Sequence, residues 1–177
     1  MKLTLIRHTA VAIPRGICYG QSDVALAPTF AQEAEAVSER LRFHIFDRVY
    51  CSPLSRCVKL AEYCGYPNAV REPRIMEMNF GEWELKNYDE ITDPRLQEWF
   101  DDYMNVPPTG GESAMDQRRR FLAFIDDLTT ELPHSASVAL FTHGGIIAHA
   151  LNAFTGKSYA EIFRAIPPFG SVIELNI

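Results

Sequence analysis

Two arginines and two histidines in this chain have the types and flanking residues to build a pocket for a phosphoryl group. Arg7 and His8 stand together after the apolar run Leu3-Thr4-Leu5-Ile6. Arg56 follows Cys51-Ser52-Pro53-Leu54-Ser55, and His143 precedes Gly144-Gly145. A guanidinium presents a planar fork of donors that matches phosphate oxygens. A phosphoryl group in transit spreads negative charge over its equatorial oxygens, and a cage of such donors stabilises that charge. A cage alone would only bind, whereas a neutral imidazole can also attack phosphorus and carry it as a phosphohistidine. Arg7 and Arg56 disfavour the imidazolium, so His8 is expected to be neutral and nucleophilic. His143 is expected to donate to the transferring oxygens, with the amides that begin at Gly144 as further anion-facing donors.

The leaving alkoxide needs a proton, and the water that follows must lose one. A carboxyl group can do both. Glu77, Glu82 and Glu84 lie together in an aperiodic stretch with Trp83, and spacing alone does not choose among them. Between His8 and Pro28 runs a loop punctuated by Pro14, Gly16, Gly20 and Asp23. It is too long to be a plain connector, and its Gly20 and Gln21 are expected to approach the ligand.

These groups need a frame. Leu3 to Arg7 reads as a buried strand with His8 at its carboxyl end, where ligands bind in open α/β sheets. Thr29 with Gln32 reads as a capping box for a helix whose Phe30, Ala34, Val37 and Leu41 share one face. Asp47 to Cys51 reads as a second strand. Ser52-Pro53 reads as the start of a helix that carries Arg56 in its first turn and ends before Gly65. Ala69 to Glu72 is a weak third strand, and Arg95 to Tyr103 a helix. Ser113 caps a long helix reaching Leu132. Ser137 to Thr142 is a strand delivering His143, and Gly144 opens a helix ending at Gly156. A short helix near Ser158 to Phe163 and a strand from Val172 to Leu175 close the chain. Alternating strands and helices predict an α/β fold with a mostly parallel sheet. One domain over residues 1–177 is expected, with a cap-like insertion at about 73–112.

Composition narrows the classes further. The chain has 177 residues, is 47% hydrophobic and carries a net charge of -6, so a general nucleic-acid surface is not expected. No apolar run approaches the ~18 residues of a membrane span, and the start does not read as a secretory signal, so a cytoplasmic location is expected. Cys18, Cys51, Cys57 and Cys64 have no metal-ligand spacing, which argues for free thiols and no metal or other cofactor. The expected partner is a small phosphorylated metabolite. Whether two copies pair as a homodimer is left open.

Taken in order, Leu5-Ile6-Arg7-His8-Thr9, Cys51-Ser52-Pro53-Leu54-Ser55-Arg56, Glu77-Met78-Asn79-Phe80-Gly81-Glu82-Trp83-Glu84, Gly110-Gly111-Glu112-Ser113 and Phe141-Thr142-His143-Gly144-Gly145 resemble the motifs of the histidine phosphatase superfamily. That superfamily includes cofactor-dependent phosphoglycerate mutases and fructose-2,6-bisphosphatases. The resemblance implies a three-layer α/β/α sandwich and a metal-independent reaction. It implies His8 as the phosphorylated nucleophile, with Arg7, Arg56 and His143 on the phosphoryl group. It also implies Glu77 as the proton donor, which selects among the three carboxylates. Within the superfamily, Gly16-Ile17-Cys18-Tyr19-Gly20-Gln21-Ser22-Asp23-Val24 is similar to the alpha-ribazole phosphatase group, implying hydrolysis of alpha-ribazole 5′-phosphate in cobalamin assembly. A broader small-molecule phosphatase, a mutase-type enzyme and a non-catalytic binding protein on the same fold are the alternatives. Two positions depart from the pattern. Pro14 stands where an asparagine is frequent, and Leu85 follows Trp83-Glu84 where the pattern has glycine, although leucine resists a positive φ.

The remaining residues read more plainly. Tyr19, Trp83 and Tyr88 could stack on a flat ligand or pack in the core. Arg118-Arg119-Arg120 reads as a solvated helix face. His44, His134 and His149 read as structural or exposed, and Cys18 as a thiol near the site.

Overall fold

The computed structural model describes residues 1–177. Its elements are β1 (Lys2–Arg7), α1 (Phe30–Leu41), β2 (Arg48–Cys51), α2 (Ser55–Tyr63) and β3 (Val70–Arg71). After three short 3-10 turns come α3 (Arg95–Asp101), α4 (Ala114–Glu131), β4 (Ser137–Thr142), α5 (Gly144–Thr155), α6 (Tyr159–Arg164) and β5 (Val172–Asn176). The strand order is β3-β2-β4-β1-β5. β5 runs antiparallel to β1, and the other neighbours are parallel. The mostly parallel sheet expected from the alternating pattern is therefore present. Because β1, β4 and β2 are adjacent and parallel, their carboxyl ends form one rim. His8, His143 and Ser52 all leave the sheet there.

Period-two alternation divides each central strand between two cores. Leu3 and Leu5 of β1 and Val138 and Leu140 of β4 join Phe121, Phe124 and Ile125 of α4 and Ile146 and Ile147 of α5. Ile6 of β1 and Ala139 and Phe141 of β4 join Val37 of α1 and Leu60 of α2 on the opposite face. Two helical layers thus enclose the sheet. Within the stretch read as an insertion, Ile75 belongs to the first of these cores, and the Thr142 hydroxyl donates to its carbonyl at 2.8 Å. Beyond it, Cys18, Trp83 and Ile91 form a small separate core, with Trp99 and Tyr88 packed against it.

Two helix starts differ from expectation. Helix α2 begins at Ser55, because Leu54 is extended (ψ 136) and the Ser52 hydroxyl is 2.7 Å from His143 Nε2. The Ser55 amide is instead met at 2.9 Å by Asp23 Oδ1, a cap supplied from a distant loop. At α1, Thr29 makes no capping bond to the backbone; its hydroxyl donates to Glu33, whose other oxygen accepts from the Ala10 amide at 2.8 Å. Ser113 does cap α4, in a box closed by Asp116, and Gly156 ends α5 in the left-handed conformation.

Leu85 is the one non-glycine residue with positive φ, at 63°. The leucine therefore adopts the backbone that glycine would adopt freely. Its amide still donates to the Cys18 carbonyl at 2.7 Å, and the residue is 58% exposed, so packing does little to offset the strain. Relief of left-handed strain, roughly 1–2 kcal/mol, should outweigh glycine's entropy cost of about 0.4–1 kcal/mol. Leu85→Gly is expected to raise unfolding stability by about 0.5–1 kcal/mol in urea titration. A loss of that size would show that the side chain packs after all.

Candidate active site

His8 is buried at the end of β1. Its Nδ1 lies 2.7 Å from the Thr9 carbonyl oxygen. A carbonyl only accepts, so Nδ1 carries the proton and Nε2 keeps a free lone pair. Burial, then Arg56, lower the His8 pKa to about 3, with Arg7 adding to the effect and the Thr9 bond opposing it. The neutral form is thereby held far below ordinary histidine titration.

Arg7, Arg56 and His143, expected to join His8, lie around it, with Arg56 and His143 fully buried and outside the lining of the open cavity. Arg7 donates to the Pro167 carbonyl, and its guanidinium lies 4.3 Å from the Phe169 ring centre. Phe169 also packs on His8 at 5.3 Å between centroids. Arg56, fully buried in the first turn of α2, donates to the carbonyls of Ser22, at 3.0 Å, and Gly20. The Nε–H groups of Arg7 and Arg56 are buried without a partner in the protein. The His143 ring packs against His8 at 5.2 Å. Burial, then His8 and Arg56, push its pKa well below the usual range. Two guanidiniums and two neutral imidazoles thus share one buried corner.

The three glutamates separate by their contacts. Glu77 reaches the cavity, where its Oε1 accepts from Gln117 Nε2 at 2.9 Å and the Met78 amide at 3.0 Å. Its Oε2 accepts from the Gly145 amide, in the first turn of α5, at 3.2 Å. Glu82 is exposed. Glu84 is fully engaged, accepting from the amides of Gly20, Gln21, Ser22 and Phe80 at 2.8 to 3.1 Å. Burial pushes its pKa up, but the bonds from Ser22, Gln21 and Gly20 outweigh that and hold it below the usual carboxylate range.

Gly20 and Gln21 contribute by support. The Gly20 carbonyl holds Arg56, and Gln21 Nε2 donates to the Glu77 carbonyl at 3.0 Å. A Cβ on Gly20 would collide with the Met78 carbonyl, so only glycine lets the two loops meet so closely. Arg120, read from sequence as part of a solvated face, is instead bound to Glu112 at 2.7 Å and to the carbonyls of Arg74 and Glu77 at 2.8 and 3.0 Å. Arg119 keeps the expected exposed position, paired with Asp116. Cys18 is buried in the small aromatic core, and burial raises its thiol pKa to about 11.

A cavity of about 470 Å³ opens over His8. Arg7, His8, Glu77 and Gly145 line one end. Tyr19, Phe80, Trp99, Tyr103 and Phe163 line much of the rest, with Gln117 and His149 beside Glu77. Of these aromatics, the sequence singles out only Tyr19 for stacking. The aromatic run Trp99-Phe100 followed by Tyr103 is the available signal for the others, but which rings face inward depends on how α3 seats. Gln117 and His149 lie inside helical patterns, where nothing in sequence separates them from core-facing residues. No group of three or more His, Cys, Asp or Glu side chains is arranged to hold a metal ion. No helix is long and apolar enough to cross a membrane.

The buried histidines make stability depend on pH. His8 and His149 have folded pKa values of about 3, and His143 is also lowered. Between 6.5 and about 3 the unfolded chain binds protons that these rings refuse, so stability must fall as pH falls through that window. Each ring contributes at most about 1.4 kcal/mol per pH unit. Urea unfolding between about pH 7 and 4.5 should show this slope, and His8→Asn should lose about one ring's share of it. Equal slopes for wild type and variant would contradict the buried neutral His8.

Known proteins resemble this chain along most of its length. Residues 3–177 match the profile of the histidine phosphatase superfamily (branch 1). Adenosylcobalamin/alpha-ribazole phosphatase of Salmonella typhimurium is 28% identical over 155 residues, covering 84% of this chain and 76% of that one. A Yersinia enterocolitica protein assigned as phosphoglycerate mutase GpmB is 29% identical over 166 residues, covering 88% and 75%. Among solved structures, an Escherichia coli protein assigned as an alpha-ribazole-5′-P phosphatase superposes with a TM-score of 0.87 at 23% identity, covering 98% of this chain and 89% of that one. Phosphoglycerate mutase from Thermus thermophilus gives 0.77 at 27% identity, covering 98% and 92%. With its motifs gathered on one rim of the sheet and the match running almost from end to end, the chain belongs to the histidine phosphatase superfamily.

Proposed function

We propose that this protein is a cytoplasmic phosphomonoesterase that works through a phosphohistidine and needs no metal in any step. The observation that carries this reading is the His8 ring, which has its Nδ1–H tied to Thr9, a bare Nε2, and Arg7 and Glu77 on the same cavity. In the first step Nε2 attacks phosphorus and the ester P–O bond breaks. Arg7, Arg56 and His143 bind the phosphoryl oxygens, and a protonated Glu77 gives its proton to the departing alkoxide. In the second step Glu77, now a carboxylate, takes a proton from water as the oxygen attacks phosphorus. The P–N bond breaks, the electron pair returns to Nε2, and phosphate leaves.

We assign alpha-ribazole 5′-phosphate as the substrate. Its flat heterocycle suits a cavity walled by Tyr19, Phe80, Trp99, Tyr103 and Phe163. Phosphoglycerate would place a second anionic group away from the phosphate, and Arg7 is the sole arginine or lysine among the lining residues. That favours a leaving alcohol that carries an aromatic ring over a mutase or phosphoglycerate phosphatase reaction.

Phosphate release is expected from alpha-ribazole 5′-phosphate in the presence of a chelator, with kcat/KM at least ~10-fold above that for 3-phosphoglycerate. The reverse ranking would remove the substrate assignment. His8→Ala should lose at least ~1,000-fold in turnover, and wild type quenched in acid-free denaturant should carry phosphate on His8 by mass spectrometry. Retained activity in that variant would remove the nucleophile assignment.

A further inference from the structure

Glu77 is held by a chain of hydrogen bonds whose direction can be worked out atom by atom. Gln117, on α4, donates from Nε2 to Glu77 Oε1 at 2.9 Å and to the Met76 carbonyl at 3.3 Å. A carbonyl can only accept, so the nitrogen of the amide faces Glu77 and Oε1 faces away. That Oε1 lies 3.2 Å from Nε2 of His149 on α5. Nε2 must therefore carry the proton, which leaves Nδ1 bare. Tyr159, the first residue of α6, stands 2.7 Å from Nδ1 and donates its hydroxyl there. His149 thus takes the tautomer opposite to that of His8.

The chain has a chemical consequence. Oε1 of Glu77 already accepts two N–H bonds, from Gln117 and Met78. Oε2 accepts one longer bond, from Gly145 at 3.2 Å. The proton of the carboxyl form then belongs on Oε2. A Cβ on Gly145 would overlap both Glu77 and Gln117, so the missing side chain leaves room for the two to lie together. Burial keeps His149 neutral, with a pKa of about 3, so the orientation holds across the working range.

We propose that Gln117, His149 and Tyr159 are positioning residues for proton transfer, which hold Glu77 so that Oε2 gives the proton to the leaving oxygen. The proposal rests on the reading of Glu77 as the acid. α6 also supplies Phe163 to the cavity wall, stacked on Tyr159 at 6.0 Å. The helix that lends Phe163 to the cavity wall is therefore the one that terminates the chain of bonds.

The test compares two esters by kcat/KM, which reports steps up to departure of the leaving group. 2-Phenylethyl phosphate leaves as a basic alkoxide and needs the proton, whereas p-nitrophenolate is stable without it. Gln117→Leu and His149→Leu are expected to lose about tenfold on the alkyl ester and less than about twofold on p-nitrophenyl phosphate. His149→Gln, whose amide can again donate to Gln117, should recover most of the loss. Should Gln117→Leu fail to fold, the two His149 variants make the same comparison. Parallel losses on both esters, a rise in KM alone, or no loss would overturn the positioning role. Wild-type protein inactive on alpha-ribazole 5′-phosphate and on both esters would remove the phosphatase reading as well, so the two failures are distinguishable.

Discussion

The constraint on which this site depends is a buried imidazole that must stay neutral. His8 donates its Nδ1–H to the Thr9 carbonyl, and that bond fixes which nitrogen faces the cavity. Burial and the two guanidiniums then make the charged ring costly. The same guanidiniums need their own hydrogen bonds, and these come from backbone carbonyls of Gly20, Ser22 and Pro167. Loops that look irregular are in this sense parts of the active site, because their carbonyls hold the cations in place.

Glu84 shows how far that dependence extends. It makes no contribution to the cavity lining, yet four amides converge on it and draw the Gly20 turn against the Phe80 turn. The Gly20 carbonyl then meets Arg56. Arg120 plays a comparable part on the other side, binding the Glu77 carbonyl together with Glu112. A carboxylate and a guanidinium that would be ordinary on a surface each set the position of a residue next to His8. The strain at Leu85 belongs to the same segment: its amide closes onto Cys18, just before Tyr19 and Gly20.

The frame is readable from the sequence because strand and helix periods are strong signals. Leu3 to Arg7 and Ser137 to Thr142 stand out as apolar runs, and with them the rim that carries His8 and His143. Glu77 needs the motif, since nothing in the spacing of Glu77, Glu82 and Glu84 says which one faces the cavity. Their contacts do: Glu82 is exposed and Glu84 is consumed by amides. Arg120 and His149 escape a sequence reading for a different reason. Each lies within a helix, where its role depends on what another helix or loop brings opposite it. The start of α2 is misplaced from sequence because Leu54 is extended (ψ 136), although Ser52, a good capping residue by type, accepts from the Leu54 amide at 3.4 Å as well as meeting His143.

The opposite tautomers of His8 and His149 tie the halves of the chemistry together. At His8 the Nδ1–H points away from the cavity, leaving an electron pair on Nε2 where the proposed reaction brings phosphorus. At His149 the proton is directed toward Gln117, so that the amide's own donors point at Glu77. In each case the neighbouring group leaves the ring no choice, a carbonyl oxygen at Nδ1 of His8 and an amide oxygen at Nε2 of His149. The proposed nucleophile and the proposed acid are thus both oriented by backbone and helix packing. In the proposed reaction the aromatic remainder of the cavity is then free to serve recognition of the leaving group.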